Sequence, residues 1–255
     1  MLNQLTLAAN GWLAARYTAL SLDPAAAIVT ERMVPYNDPA TAKLIERDVR
    51  RLWGWLSTPE HQTADRQIPI FHIHDYDIRH FSQALRAALT FIGDPSATKV
   101  LSRIAVLPDL KVSRLKGPEI GLRPEDGAHV LFHELGHVLE RSIDWLFELC
   151  ATFRVRRQTS NTLQMHTNDL GKPTERRIYL FPGNYISRYV GRVYFRRKST
   201  EVFSCGFERF SDSKRLLEFV LQDPHHFLLV LGVVLWCRGE LRTPNIRNTD
   251  YAARK

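Results

Sequence analysis

The sequence predicts an α+β, helix-rich fold with a small sheet and an N-terminal helical extension. Three observations predict it. Apolar residues recur at helical spacing through most of the chain, β-rich runs are few and short, and a polar, proline-bearing stretch (STPEHQTADRQ, 57–67) separates the first helices from the first strand. Residues 1–60 then form an N-terminal helical region, 65–242 the main domain and 243–255 a flexible tail.

Leu2, Leu5, Leu7, Trp12 and Leu13 mark the first helix. Ala42, Leu44, Ile45, Val49, Leu52 and Trp53 mark the second, and Asn37-Asp38-Pro39 supplies its start signal. IPIFHIH (68–74) reads as a strand, 78–91 as a helix, and KVLSRIAVL (99–107) as a second strand closed by Pro108-Asp109. The segment up to Arg123, with Gly117-Pro118 and Gly121, reads as loop. Pro124 suits a first helical turn with Glu125 and Asp126 complementing the dipole, and that helix continues through GAHVLFHELGHVLERS. Another begins near Ser142 and runs through WLFELCATFRVRR. Residues 158–176 are polar and read as a mobile loop or flap. Residues 200–210 and 212–221 read as helices. Asp223-Pro224 caps a last apolar helix, which Gly239 is placed to end.

Composition narrows the function classes. With 255 residues, 44% hydrophobic and 24% charged, the chain is not disordered, collagenous or low-complexity. The 35 Lys+Arg against 27 Asp+Glu give +8, which favours an acidic partner such as nucleic acid or an acidic protein. Three widely spaced cysteines, Cys150, Cys205 and Cys237, argue against a disulfide framework and for a reducing, cytoplasmic setting. The opening MLNQLTLAANGWLAAR lacks a basic n-region, so no secretory signal is expected. The most apolar run, 227–237 (FLLVLGVVLWC), is well short of the about 20 residues a spanning helix needs, so no membrane association is expected.

The chemistry sits in His133-Glu134-Leu135-Gly136-His137, an H-E-x-x-H motif. Residues four apart on a helix share a face, so the two imidazoles can grip one ion. Zinc suits such nitrogen donors, and a catalytic site needs three protein ligands and a water. Glu134, beside the first histidine, is placed to take a proton from that water. A chain of this composition produces roughly 0.02 such matches by chance. The third ligand is less determined. A metzincin extension would need Gly at 140 and His at 143, but the chain has Glu140 and Ile143. No E-x-x-x-D pattern stands about twenty residues on. Glu201 is the best donor, since a helix starting near Thr200 turns Glu201, Ser204, Cys205 and Glu208 to one side. The rivals are His166, His225 and His226.

Tyr189-x-Gly191-x-x-Tyr194, then Thr200-Glu201-x-x-Ser204-x-Gly206-x-Glu208, then Asp223-Pro224-x-x-Phe227, downstream of HELGH, resembles a group of zincin-like metallopeptidase domains. These occur in phage head-morphogenesis proteins and bacterial polymorphic toxins. The resemblance runs from about residue 127 to 239. It implies a zincin-like fold, one zinc ion held by His133, His137 and Glu201, and Glu134 as catalytic base. Cys205 and Phe207 depart from it, where those domains tend to carry Met and a smaller aliphatic residue.

Other residues invite weaker readings. HIHDYDIRH (72–80) fails the metallo-β-lactamase pattern, and Asp77 reads as a helix cap with His72 and His74 on one strand face. His129 reads as structural or exposed. Tyr185, Tyr189 and Tyr194 are candidates to hydrogen-bond an oxyanion, with Tyr194 nearest Glu201 in sequence. Arg154, Arg156, Arg157, Arg188, Arg192, Arg196, Arg197 and Lys198 form the main basic concentrations. Cys150 and Cys237 read as buried thiols, and Cys205 as a neighbour of the metal. The expected function is a zinc metallopeptidase acting on a peptide or protein. The alternative is a non-catalytic zincin-fold module for a protein or nucleic-acid partner.

Overall fold

The computed structural model describes residues 2–15, 39–58, 68–72, 78–166, 178–195 and 199–241. It is helix-rich α+β. The expected tail (243–255), the residues 73–77 with His74 and Asp77, and the basic residues 196–198 lie outside the described residues.

Helix α1 (Leu2–Ala15) buries Leu5, Ala9 and Trp12, spaced by four and three, while Leu7 faces outward. Helix α2 (Pro39–Ser57) starts at the predicted proline and buries Ile45, Val49, Leu52 and Leu56. Both helices belong to the same apolar core as the rest of the chain. Gly232 of the last helix leaves a gap that Leu5 fills, since a Cβ there would lie 2.8 Å from Leu5 Cγ. The Trp53 indole donates to the Phe210 carbonyl at 3.0 Å, and the Arg238 guanidinium to those of Leu56 and Thr90 at 3.1 and 2.9 Å.

Four short strands, β1 (Ile70–His72), β2 (Arg103–Val106), β3 (Arg114–Lys116) and β4 (Glu119–Leu122), form a sheet in the order β1-β2-β4-β3. The first three in that order are parallel, and β3 is the antiparallel edge. The loop expected up to Arg123 is therefore corrected: it contains the β3–β4 hairpin. Gly117-Pro118 is its two-residue turn, with Gly117 at φ 57 where a side chain would be strained. Strands of three and four residues are too short to show alternation in sequence. Helix α3 (Arg79–Ile92) buries Phe81, Leu85, Ala88 and Phe91 against the helices that follow.

Helix α4 (Ala128–Ser142) is the centre of the fold, with residues 134–140 all buried. It begins four residues later than Pro124 suggested. Asp126 does not serve its dipole; its carboxylate accepts from the Arg123 amide at 2.8 Å, the Arg123 guanidinium and the Ser113 hydroxyl. Helix α5 (Leu146–Arg157) follows. Strand β5 (Gln164–Met165), in the segment read as a flap, pairs antiparallel with β6 (Tyr179–Leu180) beyond its end, and residues 167–176 of that segment lie outside the described residues. Helix α6 (Val202–Phe207) runs into a 3-10 turn (Glu208–Ser211). Helix α8 (Pro224–Cys237) carries the predicted cap, Asp223 accepting from the His226 amide, and α7 (Ser213–Gln222) is capped in the same way by Asp212, which accepts from the Arg215 amide. Among the described residues no helix is long and apolar enough to cross a membrane.

A chain of phenylalanines ties these helices together. Phe91 and Phe132 have ring centroids 5.9 Å apart, Phe132 and Phe207 5.2 Å, and Phe210 reaches Phe219 at 6.3 Å and Phe227 at 6.1 Å. His226 lies among them, fully buried, its Nε2 donating to the Val202 carbonyl at 2.7 Å. Burial, with the charges of Arg157 and Arg209, pushes its pKa down from 6.5 to about 4, against the opposing pull of Asp223. The unfolded chain takes up a proton below 6.5 that the fold refuses until about 4. Stability due to His226 is therefore complete above pH 6.5 and is lost through that window, by about 3 kcal/mol in all. Urea unfolding of the metal-free protein between pH 7 and 4.5 is expected to show this loss, and His226→Gln to remove that part of the slope.

Candidate metal centre

One turn of α4 separates His133 from His137, and their rings lie 5.0 Å apart at 85°. The residue facing them comes from the start of α6. Glu201 Oε2 is 3.2 Å from His133 Nε2 and 3.3 Å from His137 Nε2, and the Glu201 side chain is 1% exposed. The approach depends on Gly136, between the two histidines: a Cβ there would sit 2.6 Å from Ser204 Cα. Without that side chain, α6 packs directly on the backbone of α4.

Each ring is held from its far side. His133 Nδ1 bonds Glu208 Oε2 at 2.8 Å, with Cys205 beside it. His137 Nδ1 lies 3.4 Å from Ser199 Oγ and 3.9 Å from Glu140 Oε2. Glu140 is buried. Its carboxylate accepts from the Thr200 amide (2.9 Å), the Thr200 hydroxyl (2.6 Å) and the Ser199 hydroxyl (3.0 Å). It thus fixes the backbone just before Glu201. The second oxygen of Glu201, Oε1, accepts from Arg192 at 3.1 Å and from the Tyr194 hydroxyl, and Ser204 donates to Oε2 at 3.0 Å.

These contacts shift the charges. Burial opposes protonation of His133, but Cys205, Glu201 and Glu208 outweigh it and hold its pKa well above 6.5. For His137 burial is likewise outweighed, by Glu140 and Glu201, and the value rises to about 9. Burial would raise the Glu201 carboxyl, yet the two imidazoles hold it far below the usual carboxylate range. Glu134 is raised by burial against the pull of both histidines. Tyr194 is raised by burial and by the charge of Glu201.

The donor set fits a zinc ion. Tetrahedral zinc with bonds of about 2.0–2.1 Å needs neighbouring donors about 3.3 Å apart, and the Glu201 oxygen meets both imidazole nitrogens at that spacing. Neutral imidazoles with Nδ1 bonded to carboxylates or their relays present Nε2 to a metal. The groups open on a cleft of about 360 Å³, walled by the β3 edge, α4, Tyr189, Arg192 and Tyr194.

The sequence candidates divide accordingly. His133, Glu134, His137, Glu201 and Tyr194 come together in the cleft. Tyr194 points its hydroxyl at Glu201, and Tyr189 pairs with Arg192. Tyr185 donates to the Arg154 carbonyl at 2.9 Å and serves the fold. Of the rival ligands, His225 is exposed and His226 is in the core, while the His166 ring stands beside Tyr189 of the cleft wall, outside the group formed by His133, His137 and Glu201. Cys205 lies near His133, and with Glu208 the two form a second group of metal-capable atoms. Several basic residues turn inward: Arg154 binds the Arg192 carbonyl, Arg157 binds Asp223, and Arg192 binds Glu201. Sequence reasoning assigned no role to Glu140 or Ser199, and Arg192 stood out only as part of a basic concentration. The signal for Glu140 was there, a carboxylate three residues after His137 on the same helix.

Comparison with protein-family models, curated proteins and solved structures finds no match to this chain.

Because Gly136 sets the distance between α4 and α6, Gly136→Ala is expected to cost about 1–3 kcal/mol of stability and to weaken zinc binding together with it. Gly54→Ala, where a Cβ meets nothing within 4 Å on α2, is expected to raise stability by about 0.5–1 kcal/mol. Thermal unfolding and zinc titration of both variants check the contrast.

Proposed function

We propose that this chain is a zinc-dependent metallopeptidase of zincin-like fold, with His133, His137 and Glu201 as ligands. The observation that carries the reading is the single Glu201 oxygen at 3.2 and 3.3 Å from two imidazole nitrogens, beside a buried Glu134 and at the floor of an open cleft. When bound, a zinc ion supplies Lewis acidity, polarising a carbonyl and bringing the pKa of a coordinated water to about 7.

The chain's own groups do the rest. Glu134, whose pKa is raised by burial, accepts a proton at its carboxylate and returns it to the leaving amine, as a general base and then acid. Arg192 and Tyr194 hold Glu201 Oε1 and leave Oε2 to the metal side. Glu208 and Glu140 orient the two rings, the latter through Ser199. The Tyr194 hydroxyl, in the cleft wall, is the candidate donor to an oxyanion once Arg192 alone satisfies Glu201. The open edge of β3 offers backbone groups to an extended peptide laid along the cleft.

Purified protein is expected to hold one zinc per chain by elemental mass spectrometry, with Glu201→Ala clearly reduced. Glu134→Gln is expected to keep its zinc while peptide hydrolysis falls at least about 100-fold. Wild-type protein that takes up no zinc after metal addition and removal of the excess would favour a non-catalytic module. Full hydrolysis by Glu134→Gln would sink the assigned mechanism.

A further inference from the structure

The cleft has a strongly biased charge pattern, and the following inference rests on reading it as the site of peptide binding. One wall is β3, which pairs with β4 on one side and with no other strand among the described residues. Leu115 turns into the core, and alternation puts Arg114 and Lys116 together on the other face, exposed and lining the cleft. Arg141, one turn after His137, lines the same space, with one guanidinium nitrogen 3.3 Å from the Gly117 carbonyl. Among the described residues, the carboxylates that line the cleft are Glu134 and Glu201. Both are buried and face the histidines, and Glu201 is held by Arg192 and Tyr194. Glu119, opposite Lys116 in the ladder, is ion-paired to Arg103. Among the described residues, Arg114 and Lys116 therefore face the cleft without a carboxylate of their own.

We infer that the cleft takes an extended acidic peptide segment, with carboxylate side chains at alternate positions facing Arg114 and Lys116. An added strand presents every second side chain to one face, about 6.6–6.8 Å apart, which is the repeat of Arg114 and Lys116 themselves. A peptide backbone can both donate to and accept from the open strand edge. A DNA backbone has no donors to offer it and an RNA backbone only its 2′-hydroxyls, so a protein segment is favoured over nucleic acid. The field of a cleft with one sign of charge also steers such a segment inward.

The test uses zinc-loaded Glu134→Gln protein and fluorescein-labelled peptides, one alternating Asp with Ala and one alternating Asn with Ala. Fluorescence anisotropy is expected to give about fivefold tighter binding of the acidic peptide at low salt, shrinking as salt is raised. Adding Arg114→Ser and Lys116→Ser is expected to bring the ratio close to one with the thermal midpoint unchanged, since both side chains are exposed. Equal affinities, or no binding of either peptide, overturn the inference. So does an oligothymidylate of matched length that binds more tightly and displaces the acidic peptide. The peptidase reading is tested separately on the same peptides with zinc-loaded wild-type protein. An acidic preference in binding without cleavage sinks the peptidase reading and supports the acidic cleft. Cleavage of both peptides at equal rates, with equal affinities, does the reverse.

Discussion

The contact between α4 and α6 at Gly136 and Ser204 is the constraint on which the rest of the structure depends. Helix axes normally stand 8–10 Å apart because side chains fill the space between them. Here a Cβ on Gly136 would fall 2.6 Å from Ser204 Cα, so the backbones meet with nothing between them. That proximity lets a short side chain, Glu201, cover two imidazoles on the neighbouring helix while remaining 1% exposed. A wider gap would admit water and leave the carboxylate beyond reach of one ring or the other.

Such a buried cluster of charge is costly unless every lone pair and proton is used. The site meets that requirement by division of labour. Glu201 Oε2 serves the histidines and Ser204, while Oε1 serves Arg192 and Tyr194. Glu140 saturates its own carboxylate on Ser199 and Thr200 and so fixes the residue before Glu201. Glu208 does the corresponding work for His133. The facing carboxylates favour the protonated imidazoles, and binding of the zinc ion proposed above would release those protons. The aromatic packing of Phe91, Phe132, Phe207, Phe210 and Phe227 surrounds this polar region and gives its helices no freedom to part.

Much of this was legible in the sequence, for local reasons. The helix starts at Pro39, Asp212 and Asp223 follow from capping and fixed proline geometry, which act within one turn. The pairing of His133 with His137 follows from helical periodicity alone. Even Glu201 could be singled out, because a helix beginning beside it aligns Glu201, Ser204 and Glu208. The misses are equally physical. The β3–β4 hairpin was hidden because Gly117-Pro118 marks a loop and a tight turn alike, and only partner strands distinguish them. Arg154, Arg157 and Arg192 looked like surface charge because sequence carries no record of the carbonyls and carboxylates they meet.

By itself, then, the sequence determined which residues can ligate a metal and which helices carry them, since periodicity, capping and donor chemistry are properties of a few neighbouring residues. The tertiary structure alone decided that one oxygen of Glu201 meets both imidazoles, that Glu140 and Glu208 stand behind them, and that Arg114 and Lys116 wall the cleft. Those facts join residues up to 75 positions apart, and such contacts are set by how helices and strands pack together, not by the order of residues within any one of them.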